Sequence, residues 1–96
     1  MSPKNKKKLN LIRIKLDKLD NKLLDLIKYR TSLVKEVLKL KEFKKEIVDK
    51  KRINFILNKI KDKSKKLNID PKITKRIWKN MIWSYIDYER RNFKKK

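Results

Sequence analysis

The sequence predicts an all-α fold in which each subunit has one long N-terminal helix and two shorter helices. Apolar residues between Leu9 and Lys41 recur at alternating spacings of three and four, which is the period of one helix face. Two helix-start signals follow, at Asp49 and at the dipeptide Asp70–Pro71. No segment alternates as a half-buried strand does. At 96 residues, the chain is predicted to form a single domain, 1–96, with frayed tails at 1–8 and 94–96.

The first predicted helix carries an apolar seam along its whole length. A continuous helix from Leu9 to Lys41 would be about 50 Å long at about 1.5 Å per residue. Such a seam needs a second long helix beside it, and a chain of this size buries little core by itself. We therefore expect an oligomer. The seam consists of Leu9, Ile12, Leu16, Leu19, Leu23, Leu26, Leu33, Val37 and Leu40.

The second and third helices are predicted from their caps and apolar stripes. The segment 42–48 is interpreted as a short polar connection before the cap at Asp49, and the second helix is expected to fade within 61–68. Its apolar face is predicted to contain Ile53, Ile56, Leu57, Ile60 and Leu67. The third helix is predicted to carry the stripe Ile73, Ile77, Met81 and Tyr85, with Trp78, Ile82 and Glu89 adjoining it.

The composition excludes several kinds of chemistry. The chain has no Gly and no Cys, and it also lacks Ala, His and Gln. Disulfides, zinc sites, histidine catalysis and glycine-rich phosphate loops are therefore excluded, and we expect no metal. No apolar run approaches the roughly 18 residues of a membrane span, and no secretory signal is evident, so a cytoplasmic protein without a membrane partner is predicted.

The formal net charge of +21 raises the alternative of a basic helical nucleic-acid-binding protein. The abundance of Lys, Ile and Asn beside the absence of Ala and Gly is typical of AT-rich coding sequence, which favours lysine as solvated surface. No recognition motif is present, so nucleic acid is not the expected partner. The six arginines are more informative, because a planar two-pronged donor suits specific contacts.

Two charged residues stand on apolar faces: Arg30 within the first helix's seam and Glu89 beside the third helix's stripe. They could pair with each other or with other side chains to fix helix register, as in a plain coiled-coil module. Lys41 lies three turns after Arg30, so the two head groups could instead close on a small anion. Arg13 is about 25 Å away along the helix and could reach such a site only from an antiparallel partner. Arg52 could add another cation.

The ordered set of residues resembles the small all-helical chorismate mutases and the related isochorismate pyruvate-lyases. The pattern comprises Arg13, Leu19–Asp20, Leu23–Leu24, Arg30, Lys41, the D-x-x-R of Asp49 to Arg52, and Glu89. The resemblance covers about Leu9 to Phe93. It implies an intertwined homodimer with two equivalent sites for a small dianion, chorismate, each taking Arg13 from the partner. It also implies a concerted rearrangement that needs no cofactor.

The resemblance assigns roles residue by residue. Arg30 and the Arg13 supplied across the interface would clamp carboxylates, with Arg52 as a further cation. Lys41 and Glu89 would donate hydrogen bonds to the ether oxygen of the substrate. Asp49 would approach the ring hydroxyl, and Tyr85 would be a further substrate-binding residue.

Three positions depart from the mutase pattern. Ile53 follows Arg52 where mutases usually carry Glu, Tyr85 stands where many have a small hydroxyl residue, and Glu89 is commonly Gln in bacterial members of both groups. Ile53 and Tyr85 resemble the lyases, so salicylate formation from isochorismate is the alternative reaction.

Overall fold

A computed structural model describes residues 1–95 and contains three α-helices and one short 3₁₀-helix. Helix α1 spans Pro3–Leu40, the 3₁₀-helix spans Lys44–Glu46, α2 spans Lys50–Lys66 and α3 spans Pro71–Asn92. No strand occurs within residues 1–95, which confirms the predicted all-α class. Over the same residues, none of the helices combines the length and the apolar character that crossing a membrane requires.

Helix α1 begins six residues before the predicted start at Leu9. The Ser2 hydroxyl accepts a hydrogen bond from the backbone N–H of Asn5 at 3.2 Å, and Pro3 occupies the first helical position, where its missing N–H costs nothing. The polar segment before Leu9 therefore has its own helix-start signal. The predicted fraying of 1–8 stays a prediction, and the predicted frayed tail 94–96 includes position 96, which lies outside the described residues.

The chain forms two compact units, Met1–Leu33 and Val34–Lys96. The first unit is a segment of α1 whose apolar side chains are mostly exposed; Leu23, for example, keeps 48% of its surface accessible. The second unit holds the core, in which Ile47, Ile82 and Ile86 are buried. Partly buried apolar residues pack against this cluster, namely Val48, Ile53, Ile56, Leu57 and Phe93.

Helices α2 and α3 are joined by a tight turn and a buried polar contact. Asn68 adopts φ 57°, and the N–H groups of Asn68 and Ile69 donate to the carbonyls of Lys65 and Ser64, which is a Schellman helix end. The buried hydroxyls of Ser64 and Thr74 lie 2.7 Å apart. The prediction that α2 fades within 61–68 is confirmed, because the helix ends at Lys66 and this end motif closes it.

Two predicted apolar faces are only partly correct. Ile53, Ile56, Leu57 and Ile60 are partly buried on α2, but Leu67 lies beyond its end and is 69% exposed. On α3 the buried residues are Thr74, Ile82, Ile86 and Glu89, whereas Ile73 and Ile77 are exposed. The α3 face that meets the core is therefore rotated from the predicted stripe toward Ile82 and Glu89.

Candidate functional site

The centre of the candidate site is an ion pair between Lys41 and Glu89. The Nζ of Lys41 donates a hydrogen bond to Oε1 of Glu89 at 3.0 Å. The Glu89 side chain is 7% exposed and that of Lys41 is 18% exposed. Within residues 1–95, Glu89 is the one charged residue that is buried. Because burying a charge is costly unless it is paired, this carboxylate depends on Lys41.

Glu89 reaches this position because of its place on α3. It follows Ile82 and Ile86 at steps of four and three, so it shares their buried face. Lys41 comes directly after the end of α1, and its backbone N–H donates to the carbonyl of Leu38 at 3.2 Å. The end of α1 and the last turns of α3 together bring the ammonium and the carboxylate into contact.

The connection after Lys41 is held by Glu46 and Ile47. The Oε2 of Glu46 accepts hydrogen bonds from the backbone N–H groups of Glu42 at 2.8 Å and Phe43 at 3.2 Å. These two bonds, that of Phe43 foremost, lower the pKa of the Glu46 carboxyl below its ordinary value of 4.5, with Lys45 and Lys41 adding weaker attraction. Ile47 is buried beside Ile82 and Ile86. The segment that follows Lys41 is thus fixed by the hydrogen bonds of Glu46 and by the burial of Ile47.

Asp49 and Arg52 come together at the start of α2. Oδ1 of Asp49 accepts from the backbone N–H of Arg52 at 3.0 Å, which confirms the predicted N-cap. Both residues are exposed, and the guanidinium of Arg52 lies over the ring of Phe55 at 5.3 Å from its centroid. The structure therefore gives Asp49 a capping role, and its predicted contact with the ring hydroxyl stays a prediction.

The other predicted site residues lie along α1 and α3. Arg13 is exposed and Arg30 is partly buried, both within the first unit. Tyr85 is partly buried on α3, one turn before Glu89. Among the predicted site residues, the structure joins the side chains of Lys41 and Glu89, and the side chain of Asp49 to the backbone N–H of Arg52. The roles assigned to Arg13, Arg30 and Tyr85 stay predictions.

The chemistry open to the central pair is hydrogen bonding rather than nucleophilic attack. An ammonium carries three N–H donors, so Lys41 can bond Glu89 and still donate to a ligand oxygen. A carboxyl group at Glu89 can donate only when it holds a proton. In surroundings this apolar, such donors stabilise developing negative charge more strongly than they would in water.

Sequence reasoning missed the residues that position Lys41. Glu46 was placed in a polar connection, although an acidic residue three positions after Phe43 could have indicated a cap that accepts backbone N–H groups. Ile47 is predicted to lie in the same connection, and two adjacent apolar residues, Ile47 and Val48, give no periodic signal. The role of Glu46 is local and has a detectable signal, whereas the burial of Ile47 depends on tertiary packing and has none.

Comparison with known proteins adds a family and a relative. The family model described as "Chorismate mutase type II" matches residues 12–90. A curated protein named "Chorismate mutase" from Methanocaldococcus jannaschii is 38% identical over 76 residues, which cover 78% of this chain and 77% of that protein. No solved structure matches the chain at comparable significance. The span matched by the family model contains every predicted site residue, from Arg13 to Glu89.

Proposed function

This chain belongs to the chorismate mutase type II family, and we propose that it converts chorismate to prephenate, as an isomerase of aromatic amino-acid biosynthesis in the cytoplasm. The observation that carries the proposal is the pair of partly buried Lys41 and buried Glu89, whose hydrogen-bonding groups lie 3.0 Å apart beside the apolar face of α3. A concerted rearrangement needs no nucleophile, but hydrogen-bond donors can accelerate it by stabilising the negative charge that develops in the transition state.

In the proposed mechanism, the protein selects one conformer of a flexible dianion and stabilises the charge that develops on its breaking ether bond. Arg30 and the Arg13 of a second copy hold the two carboxylates, with Arg52 as a further cation, because a guanidinium can grip a carboxylate with two parallel bonds. Lys41 donates to the ether oxygen, and Glu89 donates to it in its protonated form, which replaces the ion pair of the free protein when substrate is bound. Asp49 and Tyr85 complete the walls of the site.

The exposed apolar seam of α1 supports a homodimer. Leu16, Leu19 and Leu23 each keep about half of their surface accessible along α1. A continuous apolar stripe of this kind is typical of a helix that packs against another helix. Sedimentation should give twice the monomer mass, and a monomer at micromolar concentration would contradict the dimer.

Mixing two inactive variants tests whether Arg13 crosses the interface. Arg13→Ala and Arg30→Ala homodimers should both be inactive, since each lacks one clamp at both sites. In a mixed dimer one site regains both arginines, so random mixing should restore about a quarter of the wild-type activity. Mixing Arg13→Ala with an Arg13→Ala/Arg30→Ala double variant is the matched control and should restore nothing. Equal activity in both mixtures would place Arg13 and Arg30 within one subunit.

A pH profile tests the role of Glu89. If the carboxyl must be protonated to donate, kcat/KM of the wild type should fall as the pH rises. Glu89→Gln keeps a donor at every pH, so its profile should be nearly flat over the same range. Parallel profiles would remove Glu89 from this role.

The second candidate is the isochorismate pyruvate-lyase reaction. It is favoured by Ile53, which is apolar, partly buried and packed against the core cluster, so it offers no polar group to a substrate hydroxyl. Purified protein should be assayed for prephenate from chorismate, and for salicylate and pyruvate from isochorismate. Prephenate alone supports the mutase, salicylate with pyruvate supports the lyase, and neither product would refute both.

A further inference from the structure

A groove of about 350 Å³ lies between the end of α1 and the end of α3, within the second unit. We call it the C-terminal groove. Its polar walls carry four lysines, Lys35, Lys39, Lys94 and Lys95, and its aromatic walls are Tyr88 and Phe93. No acidic residue lines it among the residues that the structure describes.

The chain after α3 builds one wall of this groove. Phe93 ends α3 in an extended conformation, at φ −71° and ψ 120°, and its ring packs against the core cluster. Beyond it, Nζ of Lys95 donates a hydrogen bond to the backbone carbonyl of Lys39 in the last turn of α1. A cation is favourable there because the carbonyls of a helix C-terminus carry partial negative charge. The segment after α3 is thus attached at two points, to the core through Phe93 and to the end of α1 through Lys95.

The two walls offer different chemistry to a ligand. The ammonium groups of Lys35, Lys39 and Lys94 repel one another, and an anion placed among them would relieve that repulsion. Phe93 offers an apolar surface for a planar ring, and Tyr88 adds another aromatic surface, with the Arg91 guanidinium 6.0 Å from its ring centroid. A second groove of similar size, about 340 Å³, lies between α2 and α3 and has Lys61, Lys72 and Lys75 but no aromatic wall. We call it the lysine-only groove, because lysines are the only charged residues among those that line it.

We propose that the C-terminal groove binds an organic anion that carries an aromatic ring, with its acid group among Lys35, Lys39 and Lys94 and its ring on Phe93 and Tyr88. The site is separate from the ion pair of Lys41 and Glu89, and its occupancy does not depend on the proposed reaction. The lysine-only groove between α2 and α3 provides an internal control, since it has comparable volume and cations without the ring surface.

The test is a titration of the isotopically labelled full chain with sodium benzoate, followed by amide chemical shifts at constant ionic strength. Saturating shifts should concentrate at residues 38–40 and 92–95. Lys35→Gln/Lys39→Gln should weaken benzoate binding about fivefold, as expected for the loss of two partly screened ion contacts. Lys72→Gln/Lys75→Gln removes the same charge at the lysine-only groove and should leave the affinity within about twofold. Benzyl alcohol has the ring without the charge, so the chemical shifts in its titration should not saturate.

Several outcomes would overturn the proposal. Shifts spread over all lysine-bearing surfaces, with both double variants equally affected, would mean general attraction of anions to a basic protein. Equal binding of benzyl alcohol would remove the anion requirement, and no shifts at the groove would remove the site. Lys94 lies outside every helix, so Lys94→Gln provides a second variant that does not alter helix packing. It should also weaken the binding of benzoate.

Discussion

Replacing Glu89 by Leu should destabilise the protein strongly, because it leaves the Lys41 ammonium without its partner. At 3.0 Å, the attraction between the two charges is about 5.5 kcal/mol at an effective dielectric constant of about 20. Removal of one member of a buried pair typically costs about 3–5 kcal/mol. Because the Lys41 side chain is 18% exposed, water can recover part of that loss, so we expect about 3 kcal/mol.

Removing both charges should restore the stability but not the activity. A Lys41→Met/Glu89→Leu double variant places apolar groups of similar size in the same space, and such replacements are often neutral or stabilising by about 1–4 kcal/mol. The pair of Asp87 and Arg91 on the same helix is the control. It has a contact of 2.8 Å with both side chains more than 60% exposed, so Asp87→Leu should cost less than about 1 kcal/mol.

The assay is urea unfolding followed by circular dichroism at one fixed protein concentration, because dimerisation would make stability depend on concentration. Prephenate formation is measured on the same samples. The reasoning is refuted if the double variant is as unstable as Glu89→Leu, since the loss would then come from side-chain packing rather than from an unpaired charge. Full activity in the double variant would remove the pair from the mechanism.

Three further predictions concern elements that position the site. The pKa of the Glu46 carboxyl is lowered in the folded protein, so its stabilising effect is present above about pH 4.5 and is lost as the pH falls through the pKa of the folded state. The difference in unfolding free energy between wild type and Glu46→Gln should therefore shrink below pH 4.5. A difference that is constant with pH would contradict this prediction. Ile47→Ala should cost about 2–4 kcal/mol in urea unfolding, because the side chain is 3% exposed; a loss below about 1 kcal/mol would mean that the connection is not anchored there. Asn68→Val should lower the free energy of unfolding, measured by thermal denaturation, by about 1–2 kcal/mol, because φ 57° is unfavourable for a β-branched residue. Asn68→Gly should not lower it, and equal stabilities of the two variants would contradict the prediction.

The sequence supports prediction of the fold class and most helix bounds because these depend on local signals. Asp49 and the Asp70–Pro71 dipeptide mark their helices correctly, since a cap is a contact between residues two or three apart. The start of α1 was missed at Ser2 because the apolar seam, not the cap, was used to locate it. The end of α2 lies at Lys66, inside the predicted range 61–68, but the motif that closes it is not predicted, because Asn68 takes the left-handed position that glycine usually fills and this chain has no glycine.

Which residues form the core could be predicted less well, because burial depends on what packs against a face. Ile77 and Ile82 are equally apolar, yet Ile82 is buried and Ile77 is exposed in the single chain. Ile47 had no periodic pattern around it and became the most buried apolar residue described. The contact of Lys41 with Glu89 joins residues 48 positions apart. Spacing indicates each residue separately, Lys41 by its distance from Arg30 and Glu89 by its apolar helix face, and only the family resemblance assigns both to one site.

The net charge gives a way to separate the enzyme from the nucleic-acid-binding alternative. Two chains of +21 each would make a dimer of +42, so the apolar seam must bring together surfaces that repel each other. Added salt screens this repulsion and should strengthen the dimer. Binding of a polyanion has the opposite dependence, because salt opposes the release of counterions. A dianion held between arginines of two subunits would also relieve the repulsion, so the proposed substrate should favour the dimer most at low salt, where the repulsion is greatest.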